Sequence, residues 1–194
     1  MITPFREEHV NAVAALHSAT LPGLLTRLGP AAVEAYYEGC ARTDLAIGMV
    51  YLETSVVQGF VLGSLHPDRL QGEVLRRNLI TTLASLAQGV LAHPSSLSWL
   101  LKSFAGPDDG SYDARAPSLI YVCVAADHRR GGVGRQLVDA FSARARAGGA
   151  ESYDLSVDEG NAPAIAFYEG LGFHRIGDYR EFGTLHRRYR LALP

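Results

Sequence analysis

Apolar positions in the first third of the chain follow two different spacings. Residues 7–21 carry apolar side chains at every third or fourth position, and a second pattern of this kind begins after Gly29-Pro30. This spacing predicts two helices. Residues 45–52 and 56–65 are rich in β-branched and other apolar residues and flank a short polar segment, which predicts an antiparallel β-hairpin.

Residues 70–115 have the pattern of a helical insertion. Leucine and valine recur every three or four positions from Leu75 to Val90, with polar residues on the other faces, which predicts an amphipathic helix. A shorter helix is expected after Pro94, and residues 106–111 predict a loop. Each helix carries an apolar stripe that has to be buried.

The second half of the chain alternates between strand and helix patterns. The predicted elements are strand 118–125, helix 132–147, strand 152–157, helix 161–170, and strands 174–179 and 185–191. A strand–helix–strand order predicts a β-α-β unit with parallel pairing. The expected fold is α+β, a mixed and mostly antiparallel sheet of about six to seven strands flanked by helices, in a single domain over residues 1–194.

Composition narrows the class of protein. With 194 residues, 47% of them hydrophobic, the chain can bury one substantial core. A formal net charge of −2 leaves no positive field to collect nucleic-acid phosphates, so we expect no nucleic-acid partner. The strong preference for arginine over lysine is typical of a GC-rich genome and suggests a bacterial source.

The cysteines, histidines and N-terminus give no sign of disulfides, metal or membrane. Cys40 and Cys123 form no CxxC pair, and the 7 histidines lack metal-ligand spacing. The polar N-terminus does not resemble a signal peptide, and no stretch reaches the roughly 20 apolar residues of a membrane span. We therefore expect a cytoplasmic protein without a metal.

A glycine-rich turn after strand 118–125 has the features of an anion-binding site. The N–H groups in the first turn of a helix have no intrahelical partners and lie at the positive end of its dipole, so they can bind a pyrophosphate. Glycines lack the Cβ atoms that would hold phosphate oxygens away. The residues concerned are Arg129, Arg130, Gly131, Gly132, Val133, Gly134 and Arg135.

Other phosphate-binding motifs do not match this turn. Lys102, the one lysine, follows Leu101 and so does not complete a Walker A motif, and Leu137 occupies the position of the last glycine in a Rossmann GxGxxG. Taken alone, the turn is better explained as a glycine-rich start of a helix.

A second motif follows about thirty residues later, in residues 161–173 (NAPAIAFYEGLGF). Asn161 is a good N-cap, and Tyr168 lies two helical turns further on the same face. A phenol with a pKa near 10 keeps its proton at neutral pH and can donate it to a departing thiolate. The alternative is a tyrosine of the core.

Together, the RRGGVG turn and the NAPAIAFYEGLGF segment, each with the strand before it, resemble the GCN5-related N-acetyltransferases. The resemblance is specific over residues 118–173 and looser before residue 66, and residues 70–115 are an insertion the family does not require. It implies the fold of that family, acetyl-CoA as co-substrate, and direct transfer of an acetyl group to an amine of a small molecule or peptide.

The resemblance also implies roles for single residues. The pantetheine arm would bind main-chain groups of the strand segment Val122, Cys123 and Val124, and would be hydrogen-bonded by Asn161. The pyrophosphate would bind residues 129–134, with Arg135 close by. Tyr168 would protonate the coenzyme A thiolate. Cys123 as an acyl-carrying nucleophile is disfavoured, because cysteines in the middle of a strand are usually small buried hydrophobes.

The acceptor side is less defined. By the same resemblance, Leu24 and Leu25, in the turn between the first two helices, would line an apolar acceptor pocket. Tyr36 and Tyr37 either pack in the core, which their helical spacing favours, or form a wall of that pocket. The helices expected within residues 73–104 should cover the acceptor side or form a homodimer contact.

The general base and the exact reaction stay open. Glu53, His66, Asp158 and Glu159 all lie near strand ends and are candidates for the base. The alternative functions are a non-catalytic acetyl-CoA sensor, transfer to a hydroxyl group, and a nucleotide-binding fold.

Overall fold

The computed structural model describes residues 1–77, 115–181 and 183–194, and its elements follow one another in an α/β order. The helices are α1 Val10–Thr20, α2 Leu24–Arg27, α3 Pro30–Ala41, α4 Pro67–Arg77, α5 Val133–Ala147 and α6 Ala162–Glu169. The strands are β1 Ile2–Pro4, β2 Ile47–Glu53, β3 Val56–Ser64, β4 Ser118–Val124, β5 Ser152–Asp158, β6 His174–Glu181 and β7 Thr184–Ala192.

The strands form one seven-stranded sheet in the order β1-β2-β3-β4-β5-β7-β6. Neighbours pair antiparallel except β4 and β5, which are parallel. The expected fold class is confirmed: a mixed α/β fold with an open, mostly antiparallel sheet flanked by helices.

The pairing between β4 and β5 is confined to their first residues. Ser118 is paired with Asp154, whose backbone N–H donates to the carbonyl of Pro117 at 2.8 Å. Over the rest of β4, as far as Val124, the described residues show no further pair with β5. The sheet therefore opens between β4 and β5 toward their carboxyl ends.

Each face of the sheet carries its own apolar core. On one face, Leu137 and Phe141 of α5 pack with Val61 of β3 and Leu155 of β5. On the other face, α1, α3 and α4 pack over Phe60 and its neighbours. Because side chains alternate along a strand, consecutive residues of β3 serve opposite cores.

Three local features differ from the sequence predictions. The three-residue β1 was missed because it is too short to show a period. Residues 24–27 form a single helical turn rather than an open loop. Helix α4 begins at Pro67, before the predicted insertion, because proline suits the first turn of a helix, and it buries Leu70. The rest of the predicted insertion, residues 78–114, lies outside the described residues.

Candidate active site

The chain passes from β4 into α5 through a turn whose backbone torsions alternate. The short helical turn Ala126–His128 ends at Arg129, and Arg130 then has a φ of 64°. Gly132, the N-cap of α5, has a φ of 82°, whereas Gly131 between them stays outside the positive region. Such alternation turns successive N–H groups toward one side and forms an anion-binding concavity.

Space above this turn is open. A Cβ atom built on Gly132 would meet nothing within 4 Å, and one on Gly131 would meet only the carbonyl of His128, at 3.5 Å. The N-cap makes no side-chain bond, and helix geometry leaves the first N–H groups of α5 without partners. The turn therefore fits a phosphate group.

Gly134 has a different role from the one expected for it. A Cβ at this position would lie 3.2 Å from the ring of Phe167 in α6 and 3.8 Å from a methyl group of Val124. The missing side chain thus lets α5 and α6 approach each other beside the end of β4. Only the tertiary packing shows this, because Phe167 is distant in sequence.

Two of the three arginines beside the turn have protein partners. Arg129 donates through Nε to the carbonyl of Val124 at 3.1 Å, and Arg135 donates to the carbonyl of Gly170 at 3.3 Å. Arg130 is exposed, with no partner among the described residues. Arg130 is therefore the arginine most available to an incoming phosphate.

Main-chain groups of β4 border the opening in the sheet. The N–H of Ala125 donates to Gln58 of β3 at 2.8 Å. Since such groups alternate in direction along a strand, those of Val122 and Val124 point away from β3, toward the opening. Those of Cys123 point toward β3, and its buried thiol contacts the hydroxyl of Thr20 at 2.6 Å. Cys123 is thus a core residue on the α1 side.

Helix α6 brings the second sequence motif to the same opening. Its N-cap is Asn161, as predicted, and the side-chain Oδ1 accepts from the N–H of Ala164 at 3.2 Å. The side-chain amide N–H groups of Asn161 lie at an exposed position. Near the other end of α6, Phe167 contacts the first turn of α5.

Tyr168 is partly buried by aromatic neighbours. Its ring lies 5.5 Å from the ring of Phe173 and 5.1 Å from that of Phe167, centre to centre. Burial, with a smaller contribution from Tyr153, raises the pKa of the phenol, which stays protonated at neutral pH. The hydroxyl makes no hydrogen bond within the described residues, so the proton is not committed to a protein acceptor.

The region with these features matches a known family. Residues 103–173 match the model of the Acetyltransferase (GNAT) family. The matched segment contains β4, the glycine turn, α5, β5 and α6. No curated protein matches it by sequence.

Solved structures show the same fold as this protein at low sequence identity. An acetyltransferase structure has 18% identity and a TM-score of 0.67, with 100% of both chains covered. The ribosomal-protein-S18-alanine N-acetyltransferase of Escherichia coli has 14% identity and a TM-score of 0.63, with 100% of this chain and 93% of that chain covered. Ribosomal-protein-alanine N-acetyltransferase from Brucella melitensis has 18% identity and a TM-score of 0.61, with 100% of this chain and 99% of that chain covered.

The candidates for the general base are dispersed in this GNAT fold. Asp158 accepts from the N–H of Gly160 at 2.7 Å, and Glu159 pairs with Arg187 at 3.0 Å. His66 lines a cavity of about 600 Å³ together with the first residues of β2, near the end of β3 that is remote from the glycine turn. The structure does not bring these residues together.

Glu53 belongs to a charged cluster that sequence reasoning missed. Nε2 of His128 lies 2.7 Å from Glu53 Oε2, and Nδ1 lies 2.9 Å from Asp127 Oδ1. Hydrogen bonds to Glu53 and Asp127 raise the pKa of His128. The cluster ties the β2–β3 hairpin to the residues just before the glycine turn. Glu53 and His128 are 75 positions apart, so no local pattern could reveal it.

The face of the sheet that carries α1 and α3 is rich in aromatic side chains. Tyr37 is fully buried and hydrogen-bonds Nδ1 of His17 at 2.8 Å, and burial lowers the pKa of His17 to about 4. Tyr36 stays partly accessible, with its ring 6.1 Å from that of Tyr121. Tyr37 is therefore a core residue, whereas Tyr36 borders space that solvent can reach.

The predicted acceptor-pocket residues lie beside this aromatic face. Leu25, in α2, is half-buried and packs against the core beneath α1 and α3. Leu24 begins the same helix. In the part of the chain that the structure describes, no helix is long and apolar enough to cross a membrane, and no group of three potential ligands could hold a metal ion.

Proposed function

We propose that this chain transfers an acetyl group from acetyl-CoA directly to an amine. The observation that carries the proposal is the opening between β4 and β5, which is bordered by a glycine turn with free N–H groups and by the helix of Tyr168. The match of residues 103–173 to the model of the GNAT family supports acyl transfer from acetyl-CoA, the coarser part of this proposal.

The residues of this chain would hold the co-substrate through main-chain groups. Val122 and Val124 would bind the pantetheine arm with Asn161, and residues 131–133 would bind the pyrophosphate, aided by Arg130. Acetyl-CoA supplies the activated thioester. The carbonyl of Val124 already accepts one hydrogen bond, from Nε of Arg129, and its oxygen keeps a second lone pair for the co-substrate.

Tyr168 would complete the transfer by proton donation. As the amine nitrogen bonds to the acetyl carbon and the C–S bond breaks, the departing thiolate needs a proton. A phenol that is protonated at neutral pH and makes no other hydrogen bond in the described residues can provide it. In this proposal the acceptor enters from the aromatic face near Tyr36 and Leu25, and it is an amine of a small molecule or a peptide.

Calorimetry with coenzyme A, ATP and NAD, followed by a thiol-release assay, tests this function. We expect binding of coenzyme A alone, and release of free thiol with members of a panel of amines that includes peptides with N-terminal alanine. Matched alcohols distinguish transfer to a hydroxyl group. Tight coenzyme A binding without thiol release for any acceptor would identify a sensor instead, and preference for ATP or NAD would exclude the acetyltransferase.

A further inference from the structure

Helix α6 is tied to β7 at both of its ends. The phenol of Tyr189 donates to Oε1 of Glu169 at 2.9 Å, immediately after Tyr168 in the chain. At the other end, Arg187 donates to Oε1 of Glu159 at 3.0 Å, two residues before the N-cap. The N–H of Glu159 also donates to the carbonyl of Leu185 in β7. Both ends of the helix are thus bonded to the same segment of chain.

Apolar packing contributes little to the placement of α6. The helix has 8 residues, and only Ile165 among them is buried. Ala164, Phe167 and Tyr168 are partly buried against the core. A helix about 12 Å long with one buried side chain can tilt and rotate unless other contacts hold it.

Tyr189 is a rigid point of attachment. Its side chain is fully buried in the core beneath α5, so the ring cannot follow a movement of α6. Arg187 lies two positions earlier in β7 and therefore on the same face of the sheet. Since Glu169 is the last residue of α6 and Glu159 lies just before its N-cap, the two contacts restrain both the tilt and the rotation of the helix.

We propose that Arg187 and Tyr189 are positioning residues, which hold the two ends of α6 and thereby set where the phenol of Tyr168 lies in the active site. This inference rests on the proposed function, in which Tyr168 donates the proton. Neither Arg187 nor Tyr189 takes part in the proton transfer of the proposed function.

Tyr189→Phe tests the contact nearest to Tyr168. Misplacement of a catalytic group by about 1 Å can lower a rate by about 100-fold. We expect kcat for the chemical step, measured before steady state, to fall by about 10- to 100-fold, while the Kd for coenzyme A changes less than about 3-fold. An unchanged chemical rate would overturn the proposal.

The double variant Tyr168→Phe/Tyr189→Phe separates positioning from a general structural effect. If Tyr189 acts through Tyr168, the double variant should lose no more rate than Tyr168→Phe alone. Losses that multiply would show that the two residues act independently, and would overturn the proposal.

Further variants keep the test valid if Tyr189→Phe folds poorly. Glu169 is exposed, so Glu169→Ala breaks the same hydrogen bond from the solvent side without altering the core. It should reproduce the loss of rate, and Glu169→Gln, which keeps an acceptor oxygen, should restore most of it. Equal rates in both Glu169 variants and in wild type would contradict the proposal.

Ser142→Ala is the matched control. It also removes a hydroxyl that hydrogen-bonds a buried tyrosine, since Ser142 of α5 bonds the phenol of Tyr153 at 2.8 Å, but it leaves the groups around Tyr168 in place. We expect it to lower Tm without the loss of chemical rate. A loss as large as that of Tyr189→Phe would show a general effect of core destabilisation.

Hydrogen exchange provides a readout that does not depend on turnover. Tyr189→Phe should accelerate amide exchange in α6 by about 10-fold relative to α5, whereas Ser142→Ala should not. If wild type releases no thiol with any acceptor, the proposed function fails, and this measurement still decides whether β7 holds α6. Unchanged exchange in α6 would show that the hydrogen bonds to β7 do not hold α6, and would overturn the proposal.

Discussion

The two helices that flank the opening in the sheet, α5 and α6, are anchored in different ways. Helix α5 has 15 residues and buries five apolar side chains, Val133, Leu137, Val138, Phe141 and Ala145. Helix α6 has 8 residues and buries one. Packing of this kind fixes the glycine turn at the start of α5, whereas α6 has fewer buried side chains and polar bonds at both ends.

This difference matches what each helix is proposed to do. A phosphate-binding turn offers several N–H groups at once and requires a rigid backbone. Proton transfer requires one hydroxyl in the right place, near a thiolate that forms only during the reaction. We therefore expect variants of the turn to change affinity and variants of α6 to change the chemical rate.

The largest effect should come from Tyr168→Phe in α6. The ring and its packing against Phe173 stay, and only the hydroxyl is lost. Loss of a general acid typically lowers a rate by about 10²- to 10⁴-fold, and we expect kcat to fall within this range. Affinity for acetyl-CoA should stay within a few-fold.

Pre-steady-state thiol release with calorimetry is the measurement for Tyr168→Phe, because product release can mask a slower chemical step. An unchanged rate of the chemical step would show that Tyr168 is a core residue and not the general acid. A lowered Tm would show that the hydroxyl has a structural partner.

A smaller effect, on affinity, is expected from Gly131→Val in the turn before α5. This position has no positive φ, and the new Cβ would have only the carbonyl of His128 nearby, so folding should be preserved. The side chain would obstruct the N–H groups. Loss of one charged hydrogen bond of about 1.5–3 kcal/mol corresponds to a Kd for coenzyme A that is about 10- to 100-fold higher.

Calorimetry and a thermal melt of the same sample test Gly131→Val. An unaltered Kd at an unaltered Tm would refute the pyrophosphate assignment. Substitution at Gly132 is less informative, because its φ of 82° disfavours any side chain.

Gly134→Val in α5 should also affect α6. Its side chain would press on the ring of Phe167, and overpacking of this kind destabilises by about 1–3 kcal/mol. At about 2–4 °C per kcal/mol for a domain of this size, Tm should fall by several degrees. Because Phe167 precedes Tyr168, the chemical rate should fall as well.

Gly131→Val is the control for Gly134→Val, since it adds the same side chain on the open side of the turn. Equal Tm values for the two variants would show that the close approach of Gly134 and Phe167 does not contribute to stability.

The smallest effect should be a pH dependence of folding stability that is caused by His128. Its pKa is raised in the folded state by hydrogen bonds to Glu53 and Asp127. The imidazolium therefore stabilises the fold below the unfolded pKa of about 6.5, and this contribution is lost as pH rises through the folded pKa. We expect wild type to exceed His128→Asn in Tm near pH 6, with the difference shrinking at higher pH.

Thermal melts between about pH 5.5 and pH 9 check the His128 prediction. Glu53→Gln, which keeps an acceptor oxygen but removes the charge, should reduce the difference in Tm as well. A difference that grew with pH would have the wrong sign and would contradict the ion-pair assignment.

The sequence by itself was sufficient for most elements of the second half of the chain. Strands β4, β5, β6 and β7 and helices α5 and α6 were predicted to within about three residues of their observed bounds. Their apolar periods and caps are local, as with Asn161, whose side chain bonds the helix it begins. The anion-binding character of the turn is also local, since it needs only glycines before a helix.

Only the tertiary structure decided how these parts act on one another. It showed that Gly134 makes room for Phe167, that Arg135 bonds Gly170, and that Glu53 meets His128. It also separated Tyr36 from Tyr37, which have the same helical context but different neighbours. Contacts between residues far apart in sequence depend on how strands are ordered and helices packed, and a periodic pattern records only which face of an element is buried, not what it is buried against.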